Sequence, residues 1–109
     1  MTCNTGDILL IQFPFTNLSE SKKRPVLVIK ADNVHGDFIC FQITSKSTSS
    51  NLLKIEQNDL KSGDLKLISF LKYDKCFTLS NQIVDKKLAD VNQEFMHKIK
   101  GLFCDATFL

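Results

Sequence analysis

The 109-residue chain is poor in most of what enzyme sites are made from. It has only two histidines. His35 lies in turn-forming sequence and His97 on the polar side of a helical pattern, and nothing in the sequence brings them together as an acid–base pair. The four cysteines, Cys3, Cys40, Cys76 and Cys104, are widely spaced and form no C-x-x-C pair. Neither a zinc site nor a thioredoxin-like centre is indicated, and reduced thiols are expected. Cys40 alternates with apolar neighbours and reads as buried packing. The carboxylates form no metal constellation; Asp32 and Asp37 flank a turn, where such residues are usually solvated. There is no glycine-rich phosphate loop and no nucleophile elbow. No apolar run reaches the roughly 18 residues of a membrane span. Met1 to Asp7 lacks a basic region followed by a long apolar stretch, so no signal peptide is expected and the cytoplasm is the expected compartment. Any catalysis must then proceed without a metal or nucleotide cofactor.

Arginine is the scarcest charge. Of 14 basic residues, only Arg24 is not lysine. The net charge of +2 and the pI of about 8.4 permit nucleic-acid binding without arguing for it. The distribution says more. A guanidinium can grip a phosphate or carboxylate with two parallel hydrogen bonds, which an ammonium cannot. Chance, or a structural salt bridge, would equally leave one arginine in place.

What the chain does have is a globular composition, 43% hydrophobic and 24% charged, at the size of one domain spanning residues 1–109. Asp7 to Phe13 reads as a strand that Pro14 ends. Phe15 to Lys23 is polar and loop-like. Arg24 to Ala31 and Asp37 to Ser45 are strands rich in β-branched and aromatic residues, separated by turn chemistry at Asn33 to Asp37. A polar connection, Lys46 to Asn51, precedes a short strand at Leu52 to Gln57 and a turn at Asn58 to Asp64. Leu65 to Leu71 and Tyr73 to Leu79 read as two strands or one long bent one, and Ile83 to Leu88 is ambiguous. Phe95, Ile99, Leu102 and Phe103 recur at helical spacing, with Asn92 as N-cap and Glu94 in the first turn. The expected fold is mainly β (α+β in class): a small, partly open barrel of five to seven short strands with a C-terminal helix.

A site without histidine pairs or metals can still cleave RNA, because the 2′-OH of the substrate is the nucleophile. The protein then supplies a base, an acid for the 5′ leaving oxygen and a cation for the phosphorane. Arginine, a threonine or serine hydroxyl, and a carboxylate such as Asp74 fit those roles. A Thr-Ser pair at a strand end is also a common turn stabiliser.

Gly6-Asp7 opening an apolar strand, the segment FPFTNLSESKKRPVLVI from Phe13 to Ile29, the strand ending Ile43-Thr44-Ser45 and the stretch Asp74-Lys75-Cys76-Phe77-Thr78-Leu79 appear in an order that resembles the MazF/PemK family of toxins. With the terminal helix, the resemblance covers nearly the whole chain. It implies an SH3-like (CcdB-like) barrel working as a homodimer. The implied function is that of a toxin of a type II toxin–antitoxin system: a sequence-selective endoribonuclease of single-stranded mRNA that leaves 2′,3′-cyclic phosphate and 5′-hydroxyl ends. The implied partners are a cognate antitoxin and, through the antitoxin complex, operator DNA. Arg24 matches the family arginine before proline and is expected to stabilise the phosphorane and to serve as the acid; Thr44 matches the hydroxyl that binds the phosphate. The PemK branch carries an R-x-D element that reads Lys72-Tyr73-Asp74 here, so Asp74 can serve as base while Lys72 replaces an arginine. Glu20, Lys22, Lys23, Ser45, Lys46, Lys72 and Tyr73 are candidate RNA contacts. Tyr73 or Phe15 could stack on a base, although Phe15 is equally suited to anchoring its loop. The loop Asn17 to Lys23 lacks the glycines of the family's G-x-E-x-x-G, which implies a different base preference.

Two rivals share this barrel: a CcdB-like toxin that binds a protein target without catalysis, and a relative that binds RNA without cutting it. The ending Cys104 to Leu109 does not match a CcdB-like tail closely. The Arg24/Thr44 pair discriminates, since a binder that does no chemistry needs no such pair at one phosphate.

Overall fold

The computed structural model of the chain describes residues 2–12, 23–48 and 50–108. Among these described residues, seven strands and one α-helix follow one another: β1 (Asp7–Gln12), β2 (Lys23–Asp32), β3 (Asp37–Thr44), β4 (Leu52–Ile55), β5 (Leu60–Gly63), β6 (Ser69–Ser80), β7 (Val84–Val91) and α1 (Gln93–Phe108). The strands form one antiparallel sheet in the order β4-β6-β3-β2-β1-β7-β5. β4 and β5 are its edges, so the sheet is open. Register shifts in β1–β7, β2–β3 and β3–β6 bend it, because each unpaired residue adds local twist.

Both faces of the bent sheet are buried, and strand alternation decides which residue goes where. Ile8, Leu27, Phe41, Ile43 and Leu71 point to one side, where Phe95 and Ile99 of α1 close the core. Leu9, Ile11, Val26, Val28 and Cys40 point to the other, with Cys3, Phe38 and Leu79. Each such aliphatic or aromatic side chain contributes about 1.5–3 kcal/mol on leaving water. Phe103 of α1 meets Phe41 edge to face at 5.2 Å between ring centroids. Burial pushes the Cys40 thiol up to about 12, so it stays a packing group, as the sequence suggests.

The helix begins where its cap predicts. Asn92 Oδ1 accepts from Phe95 N at 2.8 Å. Three stretches differ from the sequence reading. Asn58 to Asp64 is not a turn: a 3-10 turn at Gln57–Asp59 leads directly into β5. Leu65 to Ile68 is irregular, with Leu67 and Ile68 71% and 65% exposed, and β6 starts only at Ser69. Ile83 to Leu88 belongs to a 3-10 turn and to β7, which runs on to Val91. Two register shifts against β1 and a run of exposed lysines hide its alternation. Gly63 makes β5 possible. It sits at φ +80, and a Cβ there would lie 2.4 Å from the Leu88 carbonyl oxygen.

Candidate functional site

A groove of about 820 Å³ opens at the end of the sheet where β2 begins and β3 ends. Its apolar floor continues the core face of Ile8 and Leu27 through Leu10, Pro25, Ile43 and Leu88. Its walls come from the ends of β2 and β3, the irregular segment before β6, and β7.

The charges along it are lopsided. Lys23, Arg24, Lys46, Lys66, Lys86 and Lys87 line it, against one lining carboxylate among the described residues, Asp64. Two of the cations are neutralised nearby. Lys23 Nζ lies 3.2 Å from Asp85 Oδ2. Lys87 Nζ bridges Asp90 at 3.1 Å and the nearly buried Asp7 at 3.2 Å. The hydrogen bond to Asp90, and after it that to Asp7, holds the Lys87 ammonium above the ordinary lysine range. Asp90 is held below the carboxylate range, first by the Ser62 hydroxyl and then by Lys87. Among the described residues, no ion pair engages Arg24, Lys46, Lys66 or Lys86. A concave surface with four cations that pair with no described residue favours a polyanion.

Arg24 and Thr44 both line the groove, and strand register makes them neighbours on the Val26 face of the sheet, the face away from the apolar floor. Val26 pairs with Gln42 in the β2–β3 ladder. The ladder ends there; continued by two residues along each strand, its register would set Arg24 opposite Thr44, on the same face as Val26. Side chains so placed start about 4.5–5.5 Å apart at Cβ. Thr44 Oγ1 accepts from Lys46 N at 3.2 Å, a local turn bond that leaves the hydroxyl hydrogen able to donate elsewhere. The arginine is thus not spent on a structural salt bridge within the described residues, and the threonine is both turn stabiliser and available donor.

Of the residues singled out in the sequence, Lys23, Arg24, Thr44, Ser45 and Lys46 come together in the groove. Glu20 and Lys22, with Phe15, lie outside the described residues. Lys72, Tyr73 and Asp74 stand on β6 and do not line the groove. Lys72 is the cross-strand partner of Gln42 and so shares the face of Arg24 and Thr44. Tyr73 packs, half-buried, against the larger core cluster. Asp74 lies in a bulge: Gln42 pairs with Lys72 and Phe41 with Cys76, so Tyr73 to Lys75 have no partner on β3. Since Thr44 pairs with Phe70, Asp74 is four residues along β6 from the Thr44 row, roughly 13 Å of extended chain. Asn51, at φ 61, holds the bulge by accepting from Tyr73 N at 3.2 Å and donating to Asp74 Oδ2 at 3.4 Å. The other carboxylate oxygen, Asp74 Oδ1, is buried and has no hydrogen-bond partner among the described residues. Unpaired buried oxygens are uncommon and often functional.

The two histidines are apart in role. His35 Nδ1 is 2.7 Å from Asp32 Oδ2 in the β2–β3 turn, while His97 sits on the exposed side of α1. Among the described residues, no three histidines, cysteines or carboxylates gather as a metal site. No helix among them is long and apolar enough to cross a membrane.

The comparisons with known proteins decide the family. Residues 4–106 match the model of the PemK-like, MazF-like toxin of type II toxin–antitoxin systems. The chain belongs to this family. Solved toxin structures share its fold at low identity. MazF of a MazE–MazF complex from Deinococcus radiodurans superposes with a TM-score of 0.76 at 16% identity, covering 96% of this chain and 95% of that one. MazF from the same organism in another crystal form gives 0.71 at 16% identity, over 96% of each chain. An endoribonuclease in complex with its cognate antitoxin from Mycobacterial species gives 0.69 at 16% identity, over 96% and 92%. No curated protein matches by sequence.

Sequence reasoning missed part of the groove of this family member. Lys66, Lys86 and Lys87 lie in stretches read as an undecided strand and as ambiguous, so their convergence was not visible. The adjacent pair Lys86-Lys87 inside a run with apolar residues at Val84, Leu88 and Val91 was the available signal. Gln42 belongs to no motif, and as one polar residue inside a strand it gives no sequence signal of its place at the groove.

Proposed function

We propose that the chain is a toxin endoribonuclease that cuts single-stranded mRNA at preferred sequences without a metal ion. The observation that carries this reading is that Arg24 and Thr44, neighbours by strand register, both line a groove in which four of the six lining cations pair with no described residue. A phosphodiester seated there meets a guanidinium and a hydroxyl donor at once. Both interactions strengthen as the phosphorane gathers charge, which is what accelerates the step. The 2′-oxygen attacks its own 3′-phosphate and gives up its proton to a base. The bond to the 5′-oxygen breaks, and that oxygen takes a proton from an acid. The products are a 2′,3′-cyclic phosphate and a 5′-hydroxyl. Because the nucleophile belongs to the substrate, the protein needs no activated water.

Asp74 is the carboxylate assigned to the base, with Asn51 supporting it and one oxygen left unpartnered. Its distance along β6 from the Thr44 row is of the scale that an extended arginine side chain and an intervening phosphate cover. Lys72, Ser45, Lys46, Lys23 and the loop residues Glu20 and Lys22 are the RNA contacts, and Tyr73 is the stacking candidate. The same reading carries a homodimer, a cognate antitoxin, operator DNA reached through the antitoxin complex, and a cytoplasmic location. Some of the solved toxins above are held with an antitoxin.

The test is a long single-stranded RNA incubated with the purified protein in excess chelator, with the ends analysed chemically. Cleavage leaving cyclic phosphates is the expected result. Intact RNA, with the protein folded, would shift the function to a toxin that binds a protein target without chemistry.

A further inference from the structure

We infer that Gln42, whose side chain lies by register on the Val26 face with Arg24 and Thr44, is a specificity residue of that site, reading the edge of one RNA base beside the phosphate that is cut. The inference rests on the reading of the groove as an RNA-cleaving site. Gln42 is on β3, half-buried, and lines the groove. Its cross-strand partners are Val26 of β2 and Lys72 of β6. Thr44 is two residues further on the same face, so Gln42 stands one row, roughly 7 Å, from Arg24 and Thr44.

The chemistry of its neighbours separates it from them. Arg24, Thr44, Ser45 and Lys46 can all donate to an anion. Gln42 is the one carboxamide lining the groove among the described residues, and no hydrogen bond of its side chain is made there. A carboxamide offers a donor and an acceptor side by side in one plane. A phosphate offers acceptors only and would leave the amide oxygen facing an anion. A base edge offers a donor next to an acceptor and satisfies both atoms, which is how glutamine discriminates bases. Single-stranded RNA presents those edges unpaired. Leaving both amide atoms unsatisfied when RNA covers the groove would be costly, and that cost is what disfavours the wrong base.

The experiment compares wild type, Gln42→Met and Gln42→Glu on a pool of random-sequence single-stranded RNA in chelator, with every cut site sequenced. Methionine keeps the length and loses both polar atoms; glutamate keeps the acceptor and loses the donor. Melting curves establish that each variant is folded. Gln42→Met is expected to relax the base preference at one position near the cut by on the order of tenfold or more. Preferences elsewhere should be kept. Gln42→Glu is expected to disfavour the base that wild type selects at that same position. Identical preferences in all three proteins, or a uniform slowing at every site, overturns the role of Gln42 alone. Absence of cutting by all three, wild type included, removes the RNA-cleaving reading and this inference with it.

Discussion

Arg24 combines three properties that seldom coincide in one side chain. It is the only arginine of the chain, it stands at a strand end, and no described residue neutralises it. A guanidinium held this way can meet two phosphate oxygens, whereas a lysine presents a point charge. Arg24→Lys should therefore keep RNA binding within a few-fold yet lose about 10²–10³ in cleavage rate, read from single-turnover kinetics. Near wild-type cleavage by that variant removes the bidentate role. Thr44→Val should lower the cleavage rate more than the affinity for an uncleavable 2′-deoxy analogue; equal losses would make Thr44 a simple contact. At this scale the sequence was informative, because the scarcity of arginine and the Ile43-Thr44-Ser45 ending are local. The Asn51–Asp74 contact was not legible, since it depends on a bulge that joins residues 23 apart.

The wall of the groove is an element-scale construction. β7 carries Lys86 and Lys87 and is fixed between β1 and the short edge strand β5. Close approach of β5 to β7 requires Gly63, so Gly63→Ala should destabilise the fold by at least about 1–2 kcal/mol in urea unfolding. Lys87 ties β7 to Asp7 of β1 and to Asp90. Asp90 has a depressed folded value, so its contribution is present above its unfolded value and is lost as pH falls through the folded one. Lys87 has a raised folded value, so its contribution is present below its unfolded value and is lost as pH rises through the folded one. The tether is thus intact from about pH 4 to about pH 10. The stability of wild type should fall more than that of Asp90→Asn between about pH 5 and about pH 2, by about 1 kcal/mol or less for so exposed a pair. Parallel curves for the two proteins would show that the tether contributes nothing. β1, β2, β3 and α1 were readable from period and cap. β5 and β7 were not, because one mimics a turn around Ser62-Gly63-Asp64 and the other breaks its alternation at two register shifts.

On the scale of the whole molecule, a sheet with two buried faces offers its strand ends as the surface for the proposed binding. The core positions Arg24, Gln42 and Thr44 on rigid strands, while the cations converge from residues as distant in sequence as Lys23 and Lys87. The mainly-β plan with a terminal helix follows from the pattern of apolar residues. The groove does not, since it is a product of strand order and bending. With Arg24, Lys46, Lys66 and Lys86 paired to no described residue, binding of an uncleavable single-stranded RNA should weaken with salt. A log–log slope on the order of −2 to −3 is expected, about −0.7 per phosphate contacted. A slope near zero would mean that the groove is not where RNA binds.

The central claim is that Arg24 acts on the phosphorane of a cleaved RNA. Its most direct test compares wild type with Arg24→Ala on one long single-stranded RNA in excess chelator, with product ends mapped and both proteins checked for cooperative melting. The account predicts cyclic-phosphate ends from wild type and intact RNA from an Arg24→Ala protein that melts as wild type does. Cleavage by both proteins at comparable rates, or an Arg24→Ala protein that no longer folds, would contradict it.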